Sequence, residues 1–196
     1  MFRRLRLQFI MITSLAILFI LIFTVGIINT VRSFQTEQEI SKVLNTLTEN
    51  NGSFGKIKKI ETNQGREIPS DSFRFFSLTL SDDKVVSQDT SHTSLINDEE
   101  AARYALTVSR LTNNLGTIRE KNINLSYQVS KVSKDKILVV FLDTSSYYNS
   151  SQALFSLSIL LSLFAFIFFV IIVSALSGIV IRPFIRNYEK QRRFIT

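Results

Sequence analysis

Few side chains in this sequence are equipped for covalent or acid–base chemistry. The chain has 196 residues, one histidine, His92, and no cysteine. Neither a His-based triad nor a His/Cys zinc site can therefore be assembled within one copy. His92 stands in the polar run 91–94 and is expected to be a solvated loop side chain whose charge changes near neutrality. Asp82-Asp83 and Asp98-Glu99-Glu100 could offer oxygen ligands to Ca²⁺, but neither has the alternating spacing of a calcium loop. They read as a turn and a helix start. Lys56, Lys58 and Lys59 form a basic patch, expected to be a solvated face. No catalytic, cofactor-binding or metal site is expected, and the residues that would bind a ligand are not specified.

Regular spacing is found instead toward the C-terminus. Ser174 and Gly178 stand four apart, the small-xxx-small pairing that lets two membrane helices approach closely. Beyond them Ile181, Phe184, Tyr188, Gln191 and Ile195 recur at intervals of 3, 4, 3 and 4, a short heptad seam. Pro183, near its start, removes a backbone donor and permits a kink. These residues are the candidate contacts between the spans and stems of two copies.

Two apolar runs position everything else. Residues 9–28 form 20 consecutive positions without a charge, and residues 153–181 form 29. A hydrocarbon core of about 30 Å is crossed by about 20 helical residues, so both runs can span, the second with tilt. Residues 29–152 carry 15 Lys+Arg against 15 Asp+Glu, whereas 1–28 carry three arginines and no acid, and 153–196 carry five cations against one acid. Cations close to a span stay on the cytoplasmic side. The expected order is a basic cytoplasmic N-terminus (1–8), transmembrane helix 1 (9–28), an extracytoplasmic domain (29–152), transmembrane helix 2 (153–181) and the start of a cytoplasmic dimerisation helix (182–196). The first run exceeds the roughly 7 to 15 apolar residues of a signal-peptide core, which favours an uncleaved anchor. Nucleic acid is excluded as a direct partner of the middle region, which lies outside and has no net charge.

Within 29–152, Thr36, Ile40, Val43 and Leu47 make a helical stripe ended by Asn50-Asn51-Gly52. Residues 74–80 and 84–88 read as a hairpin around Ser81-Asp82-Asp83. Asn97 is expected to cap a second helix, with Glu99 and Glu100 in its first turn, an apolar face of Ala101, Ala105, Val108 and Leu111 or Leu115, and Gly116 as its close. Strands are expected over 124–132 and 137–142, joined by a tight turn, with 143–149 leading straight into the second span. The order helix, strand, strand, helix, strand, strand predicts an α+β domain: one antiparallel sheet packed with helices.

The tail Arg182-Pro183-Phe184 with Asn187-Tyr188-Glu189-Lys190-Gln191-Arg192-Arg193-Phe194-Ile195-Thr196 resembles the segment before the phosphoacceptor histidine box of membrane sensor histidine kinases of low-GC Gram-positive bacteria. Residues 74–80, 98–105 and Val140-Phe141-Leu142-Asp143 are similar to the first sensor strand, the mid-domain helix and the last strand of that family. The turn Ser81-Asp82-Asp83-Lys84 departs from it in lacking a glycine. The resemblance implies the sensor and transmembrane half of such a kinase, with a PAS/Cache-like outer domain. It also implies a homodimer in the plasma membrane of a Gram-positive bacterium, a cytoplasmic response regulator as partner, and ATP and Mg used only by the kinase part. The chain by itself is expected to have no catalytic activity. Alternatives are a bitopic membrane protein that recruits an envelope partner, or the input half of a chemoreceptor or another effector.

Overall fold

A helix that begins among cations, runs through an apolar stretch and ends in a folded core is the first element. In a computed structural model, which describes residues 2–62, 65–120 and 123–193 and side chains only as far as Ser177, α1 spans Phe2–Glu49. Its end has the chemistry anticipated for it. Gly52 N–H donates to Leu47 O at 2.7 Å, Asn51 N–H donates to Thr48 O at 3.2 Å, and Asn51 takes φ 55°. This paired closure uses a residue that tolerates the left-handed conformation.

Two compact units result: Met1–Val31 with Gln152–Thr196, and Arg32–Ser151. The second is a mixed helix and sheet fold. After α1 come β1 (Lys59–Glu61), β2 (Glu67–Pro69), a 3-10 turn (Ser70–Ser72), β3 (Phe75–Ser81), β4 (Lys84–Asp89), α2 (Asp98–Ser109), β5 (Leu115–Glu120), β6 (Ile123–Ser133), β7 (Lys136–Asp143) and α3 (Ser145–Arg193). The main sheet has the order β4-β3-β7-β6-β5, antiparallel throughout, and β1 with β2 makes a small separate hairpin.

Both faces of this sheet are covered. On one, Ile40, Val43, Leu44 and Leu47 of α1 pack with Phe75, Leu138, Val140 and Leu142. On the other, Ala101, Ala105 and Val108 of α2 pack with Phe76, Leu78, Leu80, Val139 and Phe141. The rings of Phe76 and Phe141 stack at 4.6 Å. Double coverage explains why the central strand β7 is apolar without interruption, since successive side chains enter opposite cores.

Local signals set the connections. Asp82 and Asp83, at φ 49° and 58°, form the two-residue link of β3 to β4, which needs both residues left-handed. The Asn97 side chain accepts from Glu100 N–H at 2.8 Å and the Glu100 carboxylate accepts from Asn97 N–H, a capping box that starts α2.

Two expectations for the second helix are corrected, and strands form where none is expected. β1 and β2 were not anticipated, and neither was β5, where the chain was read as the closing part of a helix. α2 ends at Ser109, so Leu111 and Leu115 are exposed rather than on its apolar face. Gly116 lies inside β5 because a Cβ there would come 2.6 Å from the Tyr127 hydroxyl of β6; it marks a close approach of chains, not a helix end. Residues 145–149, expected to lead straight into the second span, are helical in α3, which continues as one helix past Pro183.

The other unit contains the apolar parts of α1 and α3. Both helices are long and apolar enough to cross a membrane, by length and composition. They expose large side chains such as Phe19 and Leu161 almost all round. Polar groups within them mostly bond to their own helix: Thr13, Thr30, Ser156 and Ser158 each donate to a carbonyl four residues earlier.

Candidate functional site

The sequence across the start of α3 is Asp143-Thr144-Ser145-Ser146, a group of residues whose short oxygens compete well for backbone donors at a helix start. Here they build a joint between sheet and helix. Asp143 Oδ1 accepts from Ser145 N–H at 2.9 Å, and Tyr148 N–H donates to Thr144 O at 3.1 Å. Asn124 at the start of β6 is held three times: its carbonyl accepts from Thr144 N–H at 2.8 Å and Thr144 Oγ1 at 3.0 Å, and its N–H donates to Ser145 Oγ at 2.9 Å.

Thr144 is fully enclosed, and its hydroxyl also lies 3.1 Å from Ser126 Oγ, which lies 3.1 Å from Thr117 Oγ1 of β5. The carbonyl at one end can only accept. That sets the direction of the whole chain: Thr117 donates to Ser126, Ser126 to Thr144, and Thr144 to Asn124. Aligned hydroxyls of this kind polarise one another in a low-dielectric interior.

Two tyrosines brace the first turn of α3. The Tyr148 ring takes the Arg119 guanidinium of β5 at 5.0 Å. Tyr147 packs against the core beneath α1, and burial, with the Glu39 carboxylate nearby, pushes its phenol up to about 12. The start of α3 is therefore tied to β5 and β6 and packed against the core that α1 also fills.

A cleft of about 450 Å³ opens beside this joint, lined by the 3-10 turn and the lead into β3 on one side and by Asp143, Ser145, Ser146, Tyr147 and Asn149 on the other. Arg74 and Asp143 are backbone neighbours there, with Asp143 N–H donating to Arg74 O at 2.8 Å.

The residues singled out by spacing are placed as follows. Ser174 is half-buried in α3, and its carbonyl accepts from the Arg6 guanidinium at 3.0 Å, within the unit that holds both apolar segments. Gly178, Ile181, Phe184, Tyr188 and Gln191 belong to α3, but their side chains lie outside the described residues, as does Ile195 altogether.

The acidic clusters take local roles. Asp98 Oδ1 accepts from Gln88 Nε2 at 2.9 Å and Thr90 Oγ1 at 2.8 Å, tying α2 to β4. His92 is exposed, though its ring stacks on buried Phe75 at 4.5 Å. Nearby, the Ser91 hydroxyl and N–H hold the Asp89 carboxyl below its ordinary value, with His92 adding to the effect. Among the described residues, no three His, Cys, Asp or Glu side chains converge as metal ligands. No family model and no curated protein matches the sequence.

The joint is not among the sequence expectations, which have residues 143–149 only leading straight into the second span. The signal was present: a run of Asp, Thr and Ser leading into an apolar helix is a start marker.

Proposed function

We infer that the chain is the input region of a membrane sensor histidine kinase: a PAS/Cache-like outer domain set between two spans, with both termini in the cytoplasm. One observation carries this reading. Helix α1 contains the uncharged run 9–28 and, further along the same helix, the buried core residues Ile40, Val43, Leu44 and Leu47. At the other end of the domain, the hydrogen-bonded joint at Thr144 leads directly into the second apolar helix. The domain thus shares a continuous helix with each apolar run.

In this reading the molecule acts as a homodimer in the plasma membrane of a Gram-positive bacterium. A stimulus favours one of two arrangements of α1 and α3, and the cytoplasmic end of α3 passes the difference to a kinase that uses ATP and Mg and phosphorylates a response regulator. The stimulus does so only by its differential affinity for the two arrangements.

The chain lacks cysteine, so single cysteines can be introduced without background. In intact cells, Ser91→Cys should react with a membrane-impermeant maleimide and Tyr188→Cys should react only after permeabilisation. The reverse pattern would overturn the two-span arrangement. Reading the codons after Thr196 tests the output: a histidine box followed by an ATP-binding domain is expected, while a stop codon or a different effector overturns the kinase assignment and leaves the topology standing.

A further inference from the structure

The cleft beside the α3 joint has an unusual electrostatic arrangement. Arg74 and Asp143 face each other across neighbouring strands, next to the Phe75–Leu142 pair of β3 and β7. Opposite charges at directly facing positions ordinarily pair. Among the described residues, Arg74 and Asp143 form no ion pair with each other. Both line the cleft instead. One oxygen of Asp143 accepts from Ser145 N–H at 2.9 Å, which orients the carboxylate of this cleft-lining residue.

We propose that this cleft binds a free α-amino acid, its carboxylate held by Arg74 and its ammonium by Asp143. A guanidinium takes a carboxylate through two parallel hydrogen bonds, and a carboxylate takes an ammonium through a charge-assisted one. A ligand with only one of the two charges leaves the opposite wall unanswered. The Ser145 and Ser146 hydroxyls supply further polar contacts, while Phe73 and the ring of Tyr147 give an apolar wall for a side chain. A volume of about 450 Å³ suits a single small molecule and not a polymer segment.

Occupancy has a direct mechanical consequence, which rests on the sensor reading above. Asp143, Ser145 and Tyr147 also belong to the joint that fixes the start of α3. A ligand seated there touches the sheet and the helix together.

The test is calorimetric titration of the full chain in detergent micelles with each of the twenty protein amino acids singly. For any that binds, its decarboxylated amine and its deaminated acid are titrated as well. At least one amino acid should bind, and loss of either charge should weaken binding about tenfold or more. Arg74→Gln and Asp143→Asn should each weaken it by a similar factor; the asparagine oxygen still accepts from Ser145 N–H, so the joint is kept. No heat with any amino acid, or half-molecules that bind as well as the parent, would overturn the proposal, as would unchanged affinity in both variants. If either variant misfolds, the half-molecules titrated into the wild-type chain decide alone. A chain that binds but fails the maleimide test overturns the sensor reading only, and one that passes the maleimide test but binds nothing overturns the cleft only.

Discussion

Replacing Thr144 by valine removes one hydroxyl from the joint and almost no volume. Thr144 is fully enclosed, its Oγ1 donates to Asn124 O at 3.0 Å, and it accepts from Ser126 Oγ at 3.1 Å. The Asn124 carbonyl keeps its bond from Thr144 N–H at 2.8 Å, so it is not orphaned. The Ser126 hydroxyl, itself buried, loses the acceptor toward which it points. If the hydroxyl chain reverses, with Ser126 donating to Thr117 and the exposed Thr117 turning to water, only net bond energy of about 1 kcal/mol is lost; if it does not, a buried donor is stranded at about 1–3 kcal/mol. Thr144→Val should therefore cost about 1–3 kcal/mol, read as a rise of about 5- to 150-fold in hydrogen exchange at the β7 amides of the full chain. Adding Ser126→Ala removes the stranded donor, so the double variant should be less destabilised than the two single losses together. Thr144→Val exchanging as slowly as wild type, or strict additivity in the double variant, would refute the hydroxyl chain.

Gly52→Ala should be strongly destabilising, because φ is 87° there and the new Cβ would overlap the Ser77 side chain of β3; the two terms are worth about 1–2 kcal/mol for backbone and about 1–3 kcal/mol for overpacking. Chemical denaturation of Gly52→Ala with and without Ser77→Gly should return the overpacking part alone. Tyr147 holds its proton to about pH 12 when folded and releases it near pH 10 when unfolded. The native state thus binds more protons in that window, and stability should be constant below pH 10 and fall as pH rises toward 12. Tyr147→Phe should flatten this alkaline slope in urea titrations at pH 9 and pH 11.5. Asn97→Ala should cost about 1 kcal/mol through loss of the cap on α2, measured as increased exchange at its first-turn amides.

Elements with a local cause were readable from residue types. The stripe Ile40, Val43 and Leu47 is buried, the Asn51-Gly52 close has its expected geometry, and Asn97 caps α2 with Ala101, Ala105 and Val108 inward. The paired runs 75–81 and 84–89 were visible for the same reason: their alternation and the Asp82-Asp83 link are contained in a dozen residues. What escaped notice depends on partners far away in sequence. β5 has few apolar residues because it is an edge strand with a mostly exposed pattern, and its glycine is explained only by the Tyr127 ring on β6. Leu44 completes the apolar stripe, but its full burial comes from strands about a hundred residues later. The cleft combines Arg74 with Asp143, which a sequence places 69 positions apart and a sheet register places side by side.

The same cleft sets how large a conformational bias a ligand could exert. Moving an equilibrium from 1:99 to 99:1 takes about 5.5 kcal/mol of differential binding. Hydrogen bonds to charged groups contribute about 1.5–3 kcal/mol each, so an amino acid whose two charges are satisfied in one arrangement of the α3 joint and not in the other supplies about 3–6 kcal/mol. Two contacts near the top of that range are then needed to invert the population, and one does not suffice. Arg74→Gln or Asp143→Asn should accordingly abolish switching at ligand concentrations that still saturate the site, a separation of binding from response that a merely structural cleft would not produce.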